Sequence, residues 1–294
     1  MWPPAEHLHM AVEEQRARQD VSGLLGALLP EQALRGPIIF VAAHPDDVVR
    51  GASWLLRRSP AGYVVHVTDG APWSPLPSPP GTPPTREAHA RLLEQAAFET
   101  LALAGLNPDR LLSLGTVEQM ASQELVTLTQ CLLAILKALR PSLLVVHPYE
   151  GGHPDHDAAA FVSHAAVALL QRGGRTPPVL LEMATPECGQ LTSPVQGFLS
   201  PLDQRRVATA TLSEEDRLIK RRMLACYNSR GWDTQVLTGA PEHYRLAPRY
   251  DFTRPSRAGT LLYGSPTPRM TAVRWRRLAR QALDELKLTE SSAH

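Results

Sequence analysis

Two short runs combine histidine with aspartate: Ala43-His44-Pro45-Asp46-Asp47 and Gly152-His153-Pro154-Asp155-His156-Asp157. Imidazole and carboxylate are the side chains that hold a catalytic zinc, which takes about three protein ligands and keeps one position open for water. His44, Asp47 and His156 supply two imidazoles and one carboxylate for such a site. The ion would bring water towards ionisation at neutral pH and polarise a substrate carbonyl. Asp46, beside a ligand but not needed as one, is placed to take the water's proton. His153 is left to stabilise a developing oxyanion or to protonate a leaving amine. Asp155 is expected to orient one of the two imidazoles flanking it, and spacing leaves open which.

Each residue also has an ordinary role. Any one of Asp46, Asp47, Asp155 or Asp157 could cap the helix that follows it, and most isolated histidines are surface or satisfied core residues. Capping explains one aspartate per run. It leaves three histidines and the further carboxylates unexplained.

The elements that must bring the runs together are legible in the apolar pattern. Ile38 to Ala42 leads into the first run and Leu143 to Val146 into the second, so each run sits where a buried strand ends. Further strands are expected at Tyr63 to Thr68, Arg110 to Leu114 and Val179 to Met183. Helices are expected near 48 to 58, 86 to 104, 121 to 139 and from Asp157 to 171. Alternation of this kind predicts an α/β fold with a mostly parallel sheet covered on both faces. Ligands of such sheets collect outside the carboxyl ends of the strands. Residues 1 to 35 read as an N-terminal helical segment, 36 to 255 as the main domain, and 256 to 294 as a C-terminal helical extension. Helices are also expected at Ser213 to Cys226, with Asp216 completing a capping pattern, and around 272 to 287.

Pro72 to Pro84 is too rich in proline for helix or central strand. It reads either as a surface connector or as a rigid wall at the rim of the site.

Composition narrows the partners. Thirty basic against twenty-nine acidic side chains leave a net charge of +1, with no footprint for a polyanion, so nucleic acid is not expected. Cys131, Cys188 and Cys226 are few, odd in number and far apart, which points to inert, mostly buried thiols in a reducing compartment. No apolar run approaches the ~20 residues of a membrane span, and Glu13, Glu14 and Gln15 precede any apolar run, unlike a secretory signal. A cytoplasmic protein acting on a small molecule is expected, with homo-oligomerisation left open.

The two runs resemble the signature of the zinc-dependent N-deacetylase family of the LmbE-like and PIG-L type, which includes deacetylases of the glycosylphosphatidylinositol-precursor, mycothiol and bacillithiol pathways. The resemblance extends to His66-Val67-Thr68-Asp69-Gly70-Ala71-Pro72, to Arg91 and Glu94, to Gly151-Gly152, and more weakly to Lys220–Ser229 and Glu242–Phe252. It implies a Rossmann-like three-layer α/β/α fold, Zn2+ on His44, Asp47 and His156, Asp46 as base, and His153 as electrostatic stabiliser or acid. One position departs: the family usually carries glutamate after the double aspartate, and Val48 stands there.

Arg91 resembles a substrate-contacting arginine of the family, while its spacing to Glu94 also fits a surface pair. Tyr149 and Glu150 either contact substrate or shape the turn into the second run. His89, His164 and His243 have no clustered partner, and Arg274, Arg276, Arg277 and Arg280 read as a solvated helix face. The expected reaction is removal of an N-acetyl group from a small amino-sugar conjugate. The alternatives are a non-haem iron oxygenase, whose two-His, one-carboxylate site usually lies in an all-β barrel, and a non-catalytic sugar- or metal-binding relative. Retention of Asp46 and His153 counts against the latter.

Overall fold

The computed structural model describes residues 5–73, 83–185, 197–198, 206–227, 234–256 and 270–288, with the side chains of 5–14 and 234–236 excepted. Helix α1 (Ala5–Leu25) leads to β1 (Ile38–Ala42), α2 (Asp47–Arg57), β2 (Tyr63–Pro72), α3 (Arg86–Leu103) and β3 (Leu111–Glu118). Then come α4 (Leu125–Leu139), β4 (Leu143–Val146), α5 (Pro154–Arg172), β5 (Val179–Met183) and β6 (Val207–Ala210). The chain continues through α6 (Glu214–Ala225), α7 (Thr234–Gly239), β7 (Glu242–Leu246) and α8 (Ala272–Glu285).

The described strands form one sheet in the order β3-β2-β1-β4-β5-β7-β6. Its first five strands are parallel, while β7 runs antiparallel to both β5 and β6. Side chains alternate across the pleat, so Phe40, Leu143 and Val145 enter one core with α1, α2, α3 and α6 residues. Ile39, Val41 and Leu144 enter the other with residues of α4, α5 and α8. This is the expected α/β architecture with helices on both faces. The N-terminal and C-terminal segments both join it: Val21 and Leu25 lie in the first core, and Trp275 and Ala279 in the second.

Between β1 and β4 the chain order reverses, β2 and β3 lying to one side and β5 to the other. That reversal opens a crevice at the carboxyl ends of β1 and β4. Both His/Asp runs start there.

Several boundaries differ from the sequence reading. Helix α5 starts at Pro154 and not at Asp157, because proline's fixed φ suits the first helical position. His156 therefore sits inside the first turn. Strand β2 runs on to Pro72, pairing with Glu118 of β3 across two register shifts. Strands β6 and β7 form an antiparallel edge that the fading pattern after residue 185 did not reveal. Cys131 is exposed on the outer face of α4 and Cys226 is partly exposed, so neither is the buried thiol expected, and Cys188 lies outside the described residues. Residues 74–82 of the proline-rich stretch also lie outside them.

Candidate metal centre

His44 leaves β1 at its carboxyl end, Asp47 opens α2, and His156 lies in the first turn of α5. His44 Nδ1 is 3.4 Å from Asp47 Oδ2, His156 Nε2 is 3.4 Å from Asp47 Oδ1, and the two ring nitrogens are 3.3 Å apart. Three donors thus converge from three elements. The first run is fixed locally, since the His44 backbone N–H donates to Asp47 Oδ2 at 2.7 Å. Tyr227, just after α6, holds it from outside through its hydroxyl on the Pro45 carbonyl at 2.8 Å.

Neither run uses an aspartate side chain to cap its helix. Asp46 precedes α2 without a side-chain cap, and at α5 it is His153 Nδ1 that accepts the Asp155 N–H, at 3.2 Å. Asp155 turns to His44, with Oδ2 3.4 Å from His44 Nε2, and is held by the backbone N–H groups of Gln119 at 2.6 Å and Ala121 at 3.3 Å. The imidazole beside Asp155 is therefore His44. Asp157 accepts the N–H groups of Glu150 and Gly151, tying the entering loop to α5. Gly151, at φ 71°, occupies the left-handed region that this loop requires.

Two histidines join that the spacing did not single out. His147, directly after β4, has Nε2 3.2 Å from Asp47 Oδ2, accepts the Ala43 N–H at 3.1 Å, and stacks on His156. His66 of β2 is buried close enough to Asp46 and Asp47 to feel their charge. The signal for His147 was its place at a strand end; for His66, in mid-strand, it was the family-like run that it opens, which assigned it no role. On the remaining side, Glu118 Oε1 lies 3.9 Å from His44 Nε2.

The electrostatics describe a pocket that wants positive charge. Burial opposes a charged His44, yet Asp47, Asp155 and Glu118 outweigh it and hold the imidazole well above its ordinary pKa. Burial would likewise raise Asp47, but His156, His147 and His44 hold it well below the carboxylate range. His156 is pushed down to about 3 and His66 to about 4, burial prevailing over the nearby carboxylates in each case. Burial and the neighbouring His44 push His153 well down. Neutral imidazoles around ionised carboxylates form a donor set suited to a divalent cation, which also satisfies the demand that otherwise keeps a proton on His44.

His44, His153 and His156 form one group able to hold a metal, and Asp47, His147 and His156 another. His156 is common to both groups. Asp47 and His147 are sealed at 0%, while His44 and His156 keep 5% and 7% of their surface and His153 is partly exposed, so an open coordination position lies on the side of these three histidines.

The other candidate residues lie apart from the donors. Arg91 is exposed on α3, its Nε donating to the Glu87 carbonyl, with no described bond to the cluster or to Glu94. Tyr149 is not presented to the crevice: it is buried against Phe252 and Trp275, with its hydroxyl on the Arg254 carbonyl at 2.9 Å, and so shapes the turn. Glu150 is held there by Arg245, which also pairs with Glu182 of β5. Trp275 of α8 reaches the second run directly, donating Nε1–H to the Pro154 carbonyl at 3.2 Å. Arg274, Arg277 and Arg280 are exposed as expected, with Arg276 partly covered. Val48 is buried in the first core, so the departing position faces apolar packing.

A cavity of about 280 Å³ lies beside Glu118, lined also by Trp73, Gln119, Met120, Gln123, Met270 and Arg274. A larger cavity of about 630 Å³, lined by Pro30, Leu136, Pro141 and Val179 among others, sits by the amino ends of β4 and β5 and shares no residue with the donor cluster.

Residues 39–167, from β1 into α5, match the model of the GlcNAc-PI de-N-acetylase (PIG-L) family. No curated protein matches the chain. Among solved structures, the zinc-inhibited form of teicoplanin deacetylase Orf2 is similar at 15% identity and TM-score 0.51, over 73% of this chain and 99% of that one. N,N'-diacetylchitobiose deacetylase from Pyrococcus horikoshii is similar at 15% identity and TM-score 0.53, over 84% and 94% of the two chains. The 4-carboxy-2-hydroxymuconate hydratase GalB of Pseudomonas putida is similar at 12% identity and TM-score 0.52, over 74% and 98%. These likenesses establish a shared α/β fold. The fold carries more than one reaction, so the chemistry must be argued from the site.

Proposed function

We propose that the protein is a zinc-dependent amidohydrolase that removes an N-acetyl group from a small amino-sugar conjugate, with the ion on His44, Asp47 and His156. The observation that carries this reading is the convergence of His44 Nδ1 and His156 Nε2, 3.3 Å apart, each 3.4 Å from one of the two carboxylate oxygens of Asp47. A tetrahedral zinc with bonds of about 2.0–2.1 Å sets its ligands roughly 3.3 Å apart. The PIG-L match over residues 39–167 supports the same reading. When bound, the ion supplies Lewis acidity, lowering the pKa of water and polarising the amide carbonyl.

The chain's own groups account for the rest. Asp46, buried beside Asp47 at the start of α2, accepts the proton of the attacking water as its oxygen bonds to the acetyl carbon. Asp155 fixes His44 through Nε2, leaving Nδ1 to face the donors. His153 accepts the Asp155 N–H at Nδ1, so its ring proton lies on Nε2, where it can donate to the oxyanion. Its depressed pKa favours this neutral donor role over that of a pre-charged acid. The C–N bond then breaks, the amine takes up a proton, and acetate and the free amino sugar leave. The cavity beside Glu118 has room for a ring-sized substituent of the amine, with Trp73 as one wall. A reducing, cytoplasmic setting is part of this proposal, supported by the free thiols of Cys131 and Cys226.

The same donors would suit a non-haem iron oxygenase, but the all-β setting usual for that site is not the fold observed. The deciding experiment measures acetate released from a panel of N-acetylglucosamine conjugates by metal-reconstituted protein, with elemental analysis of the same sample. Release that tracks zinc content is expected. A zinc-loaded protein that frees no acetate from any of them overturns the reading.

A further inference from the structure

Helix α2, which begins with a predicted ligand, is broken in the middle. Ala52 has φ −146° and ψ 26°, far from helical values. In an unbroken helix the Trp54 N–H bonds the Arg50 carbonyl. Here the Trp54 N–H donates to Glu242 Oε2 at 2.9 Å, and the Arg50 carbonyl accepts from Lys220 Nζ at 3.0 Å. Lys220 and Glu242 are themselves paired at 2.8 Å and almost wholly buried. An ion pair from α6 and β7 has been spliced into one helical hydrogen bond. Glu242 Oε1 also accepts the Ser53 N–H at 3.1 Å and the Ser53 hydroxyl, and Oε2 accepts the Tyr244 hydroxyl.

The two sides of the break do different things. Before it, Arg50 places Nη1 3.4 Å from Asp47 Oδ1 and 3.8 Å from Asp46 Oδ2. The same turn is seated against the segment just after β5 at Gly51, where a Cβ would come within 2.9 Å of the Ala184 carbonyl oxygen. Both halves anchor in the first core, through Val48 and Val49 before the break and Leu55 and Leu56 beyond it. The kink thus sets the angle between the ligand-bearing turn and the rest of the helix, and Lys220 and Glu242 hold the backbone groups that it frees.

We propose that Lys220 and Glu242 are positioning residues for the metal centre: by bracing the break in α2 they set the placement of Asp46 and Asp47. The chain of contact runs from Lys220 through the Arg50 carbonyl to its guanidinium and on to both aspartates. This rests on the metal-site reading above. A pair serving stability alone would be replaceable by neutral groups of similar size at no cost to the site, since buried ion pairs often contribute little net stability.

The test uses full-length protein and Co2+ as spectroscopic probe, with affinity, visible d–d spectrum and thermal midpoint measured on each sample. Lys220→Met/Glu242→Gln removes both charges while keeping volume. Glu242→Asp keeps the charge but is too short to reach both N–H groups. At temperatures where each variant remains folded, both should bind Co2+ at least ~10-fold more weakly, on the scale of lost outer partners, with an altered spectrum. Should the double variant fail to fold, Glu242→Asp carries the test. Variants that lose thermal stability but keep wild-type affinity and spectrum overturn the positioning role alone. Wild-type protein that takes up no Co2+ overturns the metal-site reading, and this proposal with it.

Discussion

His147 stacks on His156, with ring centroids 4.1 Å apart and 21° between planes, and its Nε2 lies 3.2 Å from Asp47 Oδ2. One sealed imidazole therefore braces two of the three proposed ligands. His156→Ala should abolish most metal uptake, whereas His147→Ala should weaken it by about 10–100-fold, as loss of an outer partner does. Metal content by elemental analysis after equilibration at graded free zinc separates the two. Equal loss in both variants would make His147 a ligand in its own right.

Asp46 lies beside the ligand Asp47 but is assigned to proton transfer. Asp46→Asn keeps its shape and removes its basicity, so turnover should fall by ~10²-fold or more while zinc content stays near wild type. Kinetics and metal analysis on one preparation decide the matter: an active variant excludes Asp46 as base, and an inactive variant without zinc makes it a ligand.

His44 is held well above its ordinary pKa by Asp47, Asp155 and Glu118 despite its burial, which favours a protonated ring in the metal-free protein. A metal must displace that proton. Zinc affinity should consequently rise with pH through neutrality, by about tenfold per unit, until the raised His44 pKa is passed. Titration calorimetry in two buffers of different ionisation enthalpy should report about one proton released per ion bound. Release of none contradicts His44 as the protonated ligand.

His164 of α5 packs edge-on to Tyr250 and Phe252, and its buried Nε2 has no hydrogen-bond partner. Burial lowers its pKa to about 4. Because the folded value lies below the unfolded one, near 6.5, the stabilisation is present above pH 6.5 and is lost as pH falls towards 4. His164→Phe removes that liability, so the variant should gain on wild type as pH drops from 7 to 4.5, by up to about 2.4 kcal/mol. The other depressed histidines, His66, His153, His156 and His243, act in both proteins and cancel in the difference. Urea unfolding at the two pH values measures it, and a pH-independent difference would show that His164 keeps its proton on folding.

Local pattern settled much of this protein. The runs Ile38–Ala42 and Val179–Met183 were legible to the residue: the first is wholly buried and apolar, as a strand covered on both faces requires, and the second is apolar except at Glu182. The Ser213 capping box was legible because its partners are three residues apart. The two His/Asp runs were legible as chemistry, since their residue types cluster within five or six positions at strand ends.

Partnerships between distant segments were decided only by the folded chain. That Asp155 serves His44 depends on α5 being set against β1 at the reversal of strand order, 111 residues away in sequence. Lys220 and Glu242 meet the broken backbone of α2 from elements 170 and 189 residues further on, and nothing local marks a helix whose hydrogen bond will be completed by someone else's side chain. Spacing encodes which groups share one element, because backbone geometry is periodic. Which elements meet is fixed by the packing of both sheet faces, and packing is a property of the whole chain.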